Sequence, residues 1–244
     1  MRYGILGDIH SNLSALQTVL DAMDADGVDR ILSVGDVVGY GAAPSETIEL
    51  VRERKVEVVK GNHDAACVLE LDITYFNPYA REAVLWTNAR LSKPETEWLS
   101  ALPMTYLGEH CSVSHGTLAT PERYDYVQTT EDADPSLDEM QRRVCFVGHT
   151  HVPVTILRLK EAPTRTGYTT EDEIDLDEVD RALVNVGSVG QPRDEDWRAA
   201  YGLFDSEANR VWIKRVEYDI DREAARIRAA GLPDMLADRL FLGV

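Results

Sequence analysis

The stretch RYGILGDIH, residues 2–10, begins with an apolar run that predicts a buried strand, and it ends in Asp8 and His10. The next stretch, NLSALQTVLDAMDADG (12–27), repeats apolar residues at helical spacing and predicts an amphipathic helix. The alternation of strand and helix continues in RILSVGD (30–36), SETIELVRER (45–54) and VEVVKGN (56–62). A β-α-β-α-β order of this kind is typical of a parallel sheet covered by helices, so the predicted fold class is α/β.

The rest of the chain is richer in strands, which predicts a second sheet packed on the first. The stretch 77–103 has the pattern of two consecutive helices, and we expect a helical insertion at about 65–102 within a single domain that spans 1–244. Two polar segments are expected to be exposed. Residues 120–143 interrupt the strands and could overhang a site, and residues 161–180 are expected to form a solvated hairpin or mobile loop.

Composition and charge narrow the function classes. The chain has 244 residues, of which 44% are hydrophobic and 28% charged, and no apolar run approaches the roughly 18 residues of a membrane span. Its net charge of −18 argues against nonspecific binding to nucleic acid, which depends on Lys and Arg contacts to phosphates. Three widely spaced cysteines without a CxxC pair predict reduced, mostly buried thiols in a cytoplasmic protein. The sequence leaves the oligomeric state open.

Polar side chains that can bind metal recur where the predicted strands end. They occur in GDIH (7–10), GDVVGYG (35–41), GNHD (61–64), VSHG (113–116) and GHTH (148–151). Ligands of open α/β sheets bind beyond the carboxyl ends of the strands, so these stretches are expected to meet. In extended backbone, residues i and i+2 project to the same side, so His149 and His151 are expected to aim at one point. Taken singly, these stretches also fit helix caps and solvated histidines, but all five together favour a site.

The residue types in these motifs indicate the kind of metal. Oxygen and imidazole ligands without cysteine suit Mn²⁺, Fe, Zn²⁺ or Ni²⁺. Of these metals, Mn²⁺ is the one we expect, and the other three are the alternatives. The candidate ligands are Asp8, His10, Asp36, Asn62, His115, His149 and His151. They are more than one ion needs and suit two ions that share a carboxylate, which is the arrangement used for in-line displacement at phosphorus. Two divalent ions also keep the centre positive inside an acidic protein, so that it can attract phosphate.

In their order, GDIH, GDVVGYG, GNHD, SHG and GHTH resemble the motifs of the calcineurin-like metallophosphoesterases, in particular their small prokaryotic phosphodiesterase-like branch. The stretch NVGSVGQPRD (185–194) is similar to the C-terminal half of that group. The resemblance implies a four-layer α-β-β-α sandwich with two mixed sheets and a dinuclear metal site at the strand ends. It also implies an assignment of ligands: Asp8, His10 and His151 to the first ion, Asp36 as the bridge, and Asn62, His115 and His149 to the second.

The resemblance gives His63 a role different from that of the ligands. The histidine of GNH faces the phosphate in this family, which implies that His63 stabilises the transition state or protonates the leaving group, with Asp64 as the partner that orients it. A general acid of this kind contributes about 10²–10⁴-fold in rate. The implied reaction is attack by a metal-bound hydroxide on a phosphorus held across both ions.

The sequence departs from one branch of the family. Serine/threonine phosphatases and symmetrical diadenosine-tetraphosphate hydrolases share GDxVDRG and GNHE, whereas this chain has GDVVGYG and GNHD, so that Tyr40 replaces the arginine that grips phosphate. Arg193 of GQPRD either supplies a phosphate contact instead or forms a surface salt bridge. The helical insertion contains four aromatic residues: Tyr75, Phe76, Tyr79 and Trp86. They either line a pocket for a base or aryl group or belong to the core, and their helical spacing favours the core.

The predicted function is a metal-dependent phosphodiesterase whose partner is a small phosphate ester or a nucleotide diester. The alternative is a phosphomonoesterase, protein phosphatase or diadenosine-polyphosphate hydrolase that uses the same metals. A non-catalytic scaffold, such as the retromer subunit of similar architecture, is disfavoured because His63 and every ligand position are filled. A nuclease for long DNA is disfavoured because no basic track accompanies the motifs.

Overall fold

A computed structural model describes residues 1–244, the whole chain. The strands are β1 (Arg2–Leu6), β2 (Arg30–Ser33), β3 (Glu57–Val58), β4 (Thr105–Leu107), β5 (Cys111–Ser114), β6 (Val144–Val147), β7 (Val154–Leu159), β8 (Ala162–Thr169), β9 (Glu173–Asp175), β10 (Val179–Asn185), β11 (Ala199–Asp205) and β12 (Arg210–Val216). The helices are α1 (Leu13–Ala25), α2 (Pro44–Glu53), α3 (Asn62–Cys67), α4 (Pro78–Asn88), α5 (Lys93–Ser100), α6 (Thr130–Glu139), α7 (Ile220–Ala229) and α8 (Asp234–Leu242).

The first sheet has six strands in the order β3-β2-β1-β11-β12-β9. Strands β1, β2 and β3 run parallel, as the β-α-β-α-β pattern predicted, and β11 joins β1 antiparallel. β3 is only two residues long: after Val58 the chain leaves the sheet, the N–H of Lys60 donates to the carbonyl of Pro103, and helix α3 begins at Asn62, the last residue of the stretch expected to be strand. The carboxyl ends of the three parallel strands therefore lie side by side.

The second sheet also has six strands, in the order β4-β5-β6-β10-β7-β8. Its central strands β5, β6 and β10 are parallel, and the outer strands are antiparallel to their neighbours. The loops that follow β5 and β6 contain His115 and the GHTH motif. Both sheets thus present parallel strand ends from which the polar motifs emerge.

The layers follow from alternation along the strands. In β1, Tyr3 and Ile5 face the second sheet and pack in one buried cluster with Phe146, whereas Leu6 faces α1 on the other side. Helix α6 covers the outer face of the second sheet, where Leu137 packs with residues of β6, β7 and β10. Full burial of such a side chain contributes about 1.5–3 kcal/mol. The predicted four-layer α-β-β-α sandwich with two mixed sheets is confirmed.

The two segments expected to be exposed are more ordered than the sequence indicated. Residues 161–180 do not form a hairpin of their own or a loop: β8 extends the second sheet, and β9 pairs with β12 in the first. The reason is that Ile174, although surrounded by acidic residues, is buried between the sheets. Residues 120–143 contain helix α6, whose capping residue Thr129 accepts a hydrogen bond from the backbone N–H of Asp132.

All three cysteines are free and buried, as predicted. None of the helices has the length and apolar character that crossing a membrane requires.

Candidate active site

The polar motifs meet where the parallel strands of both sheets end. Asp8 and His10 follow β1, Asp36 follows β2, His115 follows β5, and the GHTH motif follows β6. All seven candidate ligands are buried, with exposed fractions between 0% and 8%. The sixth histidine of the chain, His110, lies elsewhere, in the turn between β4 and β5.

Several of these residues have left-handed backbone, which is unusual for residues other than glycine. The φ angles are 50° at His10, 53° at Asp36, 68° at His149 and 63° at His151. Long-range hydrogen bonds hold this backbone: the N–H of His149 donates to the Asp8 carboxylate at 3.0 Å, and the N–H of His10 donates to the Asp36 carbonyl at 2.8 Å. Backbone strain of this kind is concentrated at functional sites.

The expectation that His149 and His151 aim at one point is wrong. Strand β6 ends at Val147, so both residues lie in a turn and not in extended backbone. Their side chains enter two adjacent groups. His151 joins Asp8, His10 and Asp36, and His149 joins His115 and Asp36; within each group the ligand atoms lie within 4.8 Å of one another.

Asp36 is the carboxylate that both groups share. Its Oδ2 atom lies 3.5 Å from Nε2 of His10 and 3.5 Å from Nε2 of His115. Asn62 reaches the second group, because its Oδ1 lies 2.9 Å from Nε2 of His115. The two groups have the membership that the family resemblance implies, and metal ligation by each residue stays a prediction.

Backbone carbonyls determine which nitrogen of three histidines carries the proton. Nδ1 of His10 lies 3.1 Å from the carbonyl of Val38, Nδ1 of His115 lies 2.9 Å from that of Val34, and Nδ1 of His151 lies 2.6 Å from that of Gln191. Because a carbonyl only accepts, Nδ1 is protonated in each ring and Nε2 keeps its lone pair. This is the usual arrangement of histidines that bind metal.

The donor set therefore fits a pair of divalent cations. The Nε2 atoms of His10 and His151 are 3.1 Å apart, too close for two lone pairs without a cation between them, and Oδ2 of Asp36 is buried without a hydrogen-bond partner. Burial raises the pKa of Asp8 to about 7, raises that of Asp36, and lowers the pKa of His10, so the protein alone leaves these carboxylates poorly compensated. A cation at each group would supply the missing charge.

His63 lies beside the first group but belongs to neither. Its ring centroid is 4.4 Å from that of Tyr40, 5.2 Å from that of Phe76 and 4.9 Å from that of His10, and its Nδ1 atom has no hydrogen-bond partner. Burial, with a smaller effect of Arg193, lowers the pKa of His63 to about 3. The imidazole is therefore neutral and lies at the wall of a cavity beside the groups.

The role expected of Asp64 is wrong. Both of its carboxylate oxygens accept backbone hydrogen bonds, one from the N–H of Gly61 at 3.0 Å and the other from the N–H of Val38 at 3.2 Å. No hydrogen bond joins Asp64 to His63, because the carboxylate of Asp64 caps the N-terminus of helix α3. The ring of His63 is instead held by its aromatic neighbours and by Gly39, where an added Cβ would lie 2.5 Å from Nδ1.

Arg193 and Tyr40, the predicted substrate contacts, lie together at the edge of the site. Tyr40 is buried, and the guanidinium carbon of Arg193 is 5.6 Å from the centroid of its ring. Arg193 donates to Oε1 of Gln191 at 2.8 Å, and its buried Nε has no partner. It does not form the surface salt bridge that was the alternative.

Sequence reasoning missed two aromatic residues of the site. Tyr124 and Tyr126, in a polar stretch without periodicity, line the same cavity as His63, and the ring of Tyr126 stacks on that of His149 at 3.9 Å. Of the four aromatic residues of the insertion, Tyr75 and Phe76 line this cavity. Trp86 packs with the core cluster around α7 and α8, and Tyr79 is 45% exposed.

Comparison with known proteins identifies the family. Residues 1–209 match the model of the calcineurin-like phosphoesterase superfamily domain. The chain is 36% identical over 245 residues to the uncharacterized protein MJ0912 of Methanocaldococcus jannaschii, covering 98% of this chain and 97% of that protein.

Solved structures show the same similarity. A metallophosphoesterase from Sphaerobacter thermophilus is 39% identical, with a TM-score of 0.84 over 100% of this chain and 99% of that one. The hypothetical protein PH1004 from Pyrococcus horikoshii OT3, at 20% identity, shares the fold with a TM-score of 0.80 over 100% and 98% of the two chains. With this match and with the paired groups at its strand ends, the chain belongs to the calcineurin-like phosphoesterase superfamily and is a hydrolase of phosphoric esters.

Proposed function

We propose that the protein is a metal-dependent phosphodiesterase that hydrolyses small or nucleotide diesters with two divalent ions. The metal we propose is Mn²⁺. The observation that carries the proposal is the pair of buried ligand groups that share Asp36, beside an open cavity. Two divalent ions held there would neutralise phosphate charge and activate water at neutral pH. The residues Asp8, His10 and His151 would hold one ion, and Asn62, His115 and His149 the other.

His63 is placed to act on the departing alcohol. A neutral imidazole has one N–H donor and one lone pair, and this ring lines the cavity next to both groups. In this proposal His63 donates its hydrogen bond to the oxygen of the leaving group, and Tyr40 and Phe76 keep the ring in position. Asp64 keeps the start of α3, and with it the backbone of His63, in place.

The charge of the surroundings favours a diester over a monoester. A diester carries one negative charge, whereas a phosphate monoester carries close to two at neutral pH because its second pKa is about 6. Tyr40 stands where the phosphatase branch has an arginine, and the guanidinium of Arg193 lies beside the Tyr40 ring. A phosphomonoesterase or diadenosine-polyphosphate hydrolase with the same metals is the second candidate.

The proposal also places the enzyme in the cytoplasm, acting on small substrates. Free, buried Cys67, Cys111 and Cys145 support a reducing compartment, and the net charge of −18 disfavours long nucleic acid as a substrate.

The test is to strip the protein of metal, reload it with Mn²⁺ and measure hydrolysis of bis-p-nitrophenyl phosphate, p-nitrophenyl phosphate and diadenosine tetraphosphate. We expect the diester to be cleaved fastest, His63→Gln to lose this activity, and His110→Gln, a histidine away from the site, to retain it. Faster cleavage of the monoester or of diadenosine tetraphosphate would overturn the diester assignment in favour of the second candidate. Cleavage of none of them would refute the proposed function.

A further inference from the structure

A cavity of about 460 Å³ lies between the loop that precedes α4 and the loop around Tyr124. Its inner wall contains Asn62, His63 and His149, so the cavity adjoins the metal groups where a phosphate would bind. Five of its 13 lining residues are aromatic, whereas aromatic residues make up 7% of the chain: Tyr40, Tyr75, Phe76, Tyr124 and Tyr126. The cavity is therefore strongly enriched in aromatic side chains.

Packing around the histidines explains three of the five rings. Tyr40 and Phe76 contact His63, and the ring of Tyr124 lies 6.0 Å from that of His115. It explains only one face of Tyr126, which stacks on His149 but is 51% exposed, and it does not explain Tyr75, which is 93% exposed. Tyr126 covers His149 with one face, since the two ring planes are within 14° of parallel, and the exposed half of the residue lies on the side away from the histidine. Exposed aromatic faces beside a site are stacking surfaces for flat rings.

The polar residues of the cavity match the edge of a heterocycle and not a second phosphate. Oδ1 of Asp72 accepts two hydrogen bonds, one from the backbone N–H and one from the hydroxyl of Thr74. Oδ1 of Asn77 accepts a hydrogen bond from the backbone N–H of Ala80 and thereby caps α4. The second carboxylate oxygen of Asp72 and the amide NH₂ of Asn77 are thus available as an acceptor and a donor. The cation of this cavity, Arg123, is exposed and paired with Asp125 at 2.9 Å, which disfavours a polyphosphate chain.

We propose that this cavity is a nucleobase subsite, in which Tyr126 and Tyr75 stack on the base and Asp72 and Asn77 contact its edge. The inference rests on the proposed function and narrows its substrate class to diesters of a nucleoside monophosphate. A simple aryl ester would use the stacking surfaces but leave the polar edge unpaired. A dinucleoside polyphosphate would need cations that the cavity does not offer.

The test is equilibrium binding by calorimetry to the Mn²⁺-reloaded protein, with adenosine 5′-monophosphate, ribose 5-phosphate and phenyl phosphate as probes. Because stacking of a base on an aromatic side chain is substantial, we expect adenosine monophosphate to bind about 10-fold more tightly than ribose 5-phosphate. Tyr75→Leu should remove much of this difference without weakening ribose 5-phosphate, and Tyr126→Leu should also remove much of the difference. Tyr75 is the safer variant, because its ring contacts little of the protein.

Tyr168→Leu is the matched control, since Tyr168 is 71% exposed on β8 and lines a different cavity; it should retain the full difference. Equal affinity for adenosine monophosphate and ribose 5-phosphate would overturn the inference, as would phenyl phosphate binding as tightly as the nucleotide. Binding is measured separately from catalysis. A protein that cleaves diesters without preferring the nucleotide refutes only the subsite, and one that prefers the nucleotide but cleaves no diester refutes only the proposed function.

Discussion

Replacing Asp36 with asparagine should raise the stability of the metal-free protein and reduce the stabilisation that metal provides. The side chain is 1% exposed, its Oδ1 accepts the backbone N–H of His63 at 2.8 Å, and its Oδ2 has no partner. Asparagine keeps the shape and the first hydrogen bond. In place of the unpaired anionic oxygen it puts an NH₂ group 3.5 Å from the lone pairs on Nε2 of His10 and His115.

The magnitudes follow from these contacts. Without metal, the variant loses a buried, unsatisfied acceptor, which by itself costs about 1–3 kcal/mol, so the free energy of unfolding should rise by about that amount. With metal at 1,000 times the dissociation constant, the wild type gains about 4 kcal/mol. Mutation of a residue that only hydrogen-bonds to a metal ligand weakens metal binding by roughly 10- to 100-fold. Loss of the shared carboxylate, which would itself be a ligand, should weaken it by at least as much. At a fixed metal concentration this removes about 1.4–2.7 kcal/mol of that gain.

The assay is urea unfolding at pH 7.5 with a chelator and again with Mn²⁺. Asp64→Asn is the matched control, because Asp64 is also fully buried but both of its oxygens accept backbone N–H groups. An NH₂ group facing one of those donors should lower the free energy of unfolding by about 1–3 kcal/mol, with or without metal. If Asp36→Asn lowers stability in the chelator as Asp64→Asn does, Asp36 is not an uncompensated bridging carboxylate and the metal-centre reasoning fails.

Three further changes test other parts of the site and its support. His63→Gln should lower kcat for the diester by about 10²–10⁴-fold yet leave the Mn²⁺-dependent rise in unfolding free energy unchanged; a lost rise would make His63 a ligand. Gly39→Ala adds a Cβ 2.5 Å from Nδ1 of His63 at a φ of +90°, so it should reduce kcat while metal still stabilises the protein, and full activity would show that the ring position is not critical. Glu223 lies on α7 with its side chain fully buried. Burial raises the pKa of Glu223, so its ionised form destabilises the fold above the unfolded value of 4.5, and that loss is recovered as the pH falls. Urea unfolding should therefore show Glu223→Gln to be more stable than the wild type at pH 7.5, and this advantage should disappear towards pH 4.5. An advantage that does not depend on pH would contradict the raised pKa of Glu223.

The predictable parts of the fold were those encoded by local periodicity. Apolar runs and helical spacing were sufficient for β1, α1, β2 and α2, because each element buries one face that its own sequence specifies. The strand β9 was missed because its burial depends on a single isoleucine, Ile174, among acidic residues. Its pairing with β12 is a contact between distant parts of the chain.

The candidate site divides in the same way. The sequence alone was sufficient to predict the chemistry of the motifs, which place oxygen and imidazole donors beside glycine at strand ends. It was also sufficient to indicate the family and to show that Tyr40 replaces the arginine of the phosphatase branch. The sequence could not show that His149 and His151 enter different groups. Their left-handed backbone is held in part by a hydrogen bond from His149 to Asp8, 141 residues away.

Tertiary structure likewise determined which groups act on one another. Asp64 and His63 are adjacent in the chain, yet the carboxylate is used by the backbone of Gly61 and Val38. Tyr126 lies in a segment without periodicity, yet it covers a histidine from another strand end. Residue type and local pattern thus determine what chemistry the chain can perform, because they are properties of single residues and neighbours. Which atoms share a metal, cap a helix or stack on a substrate depends on long-range packing, and only the fold specifies it.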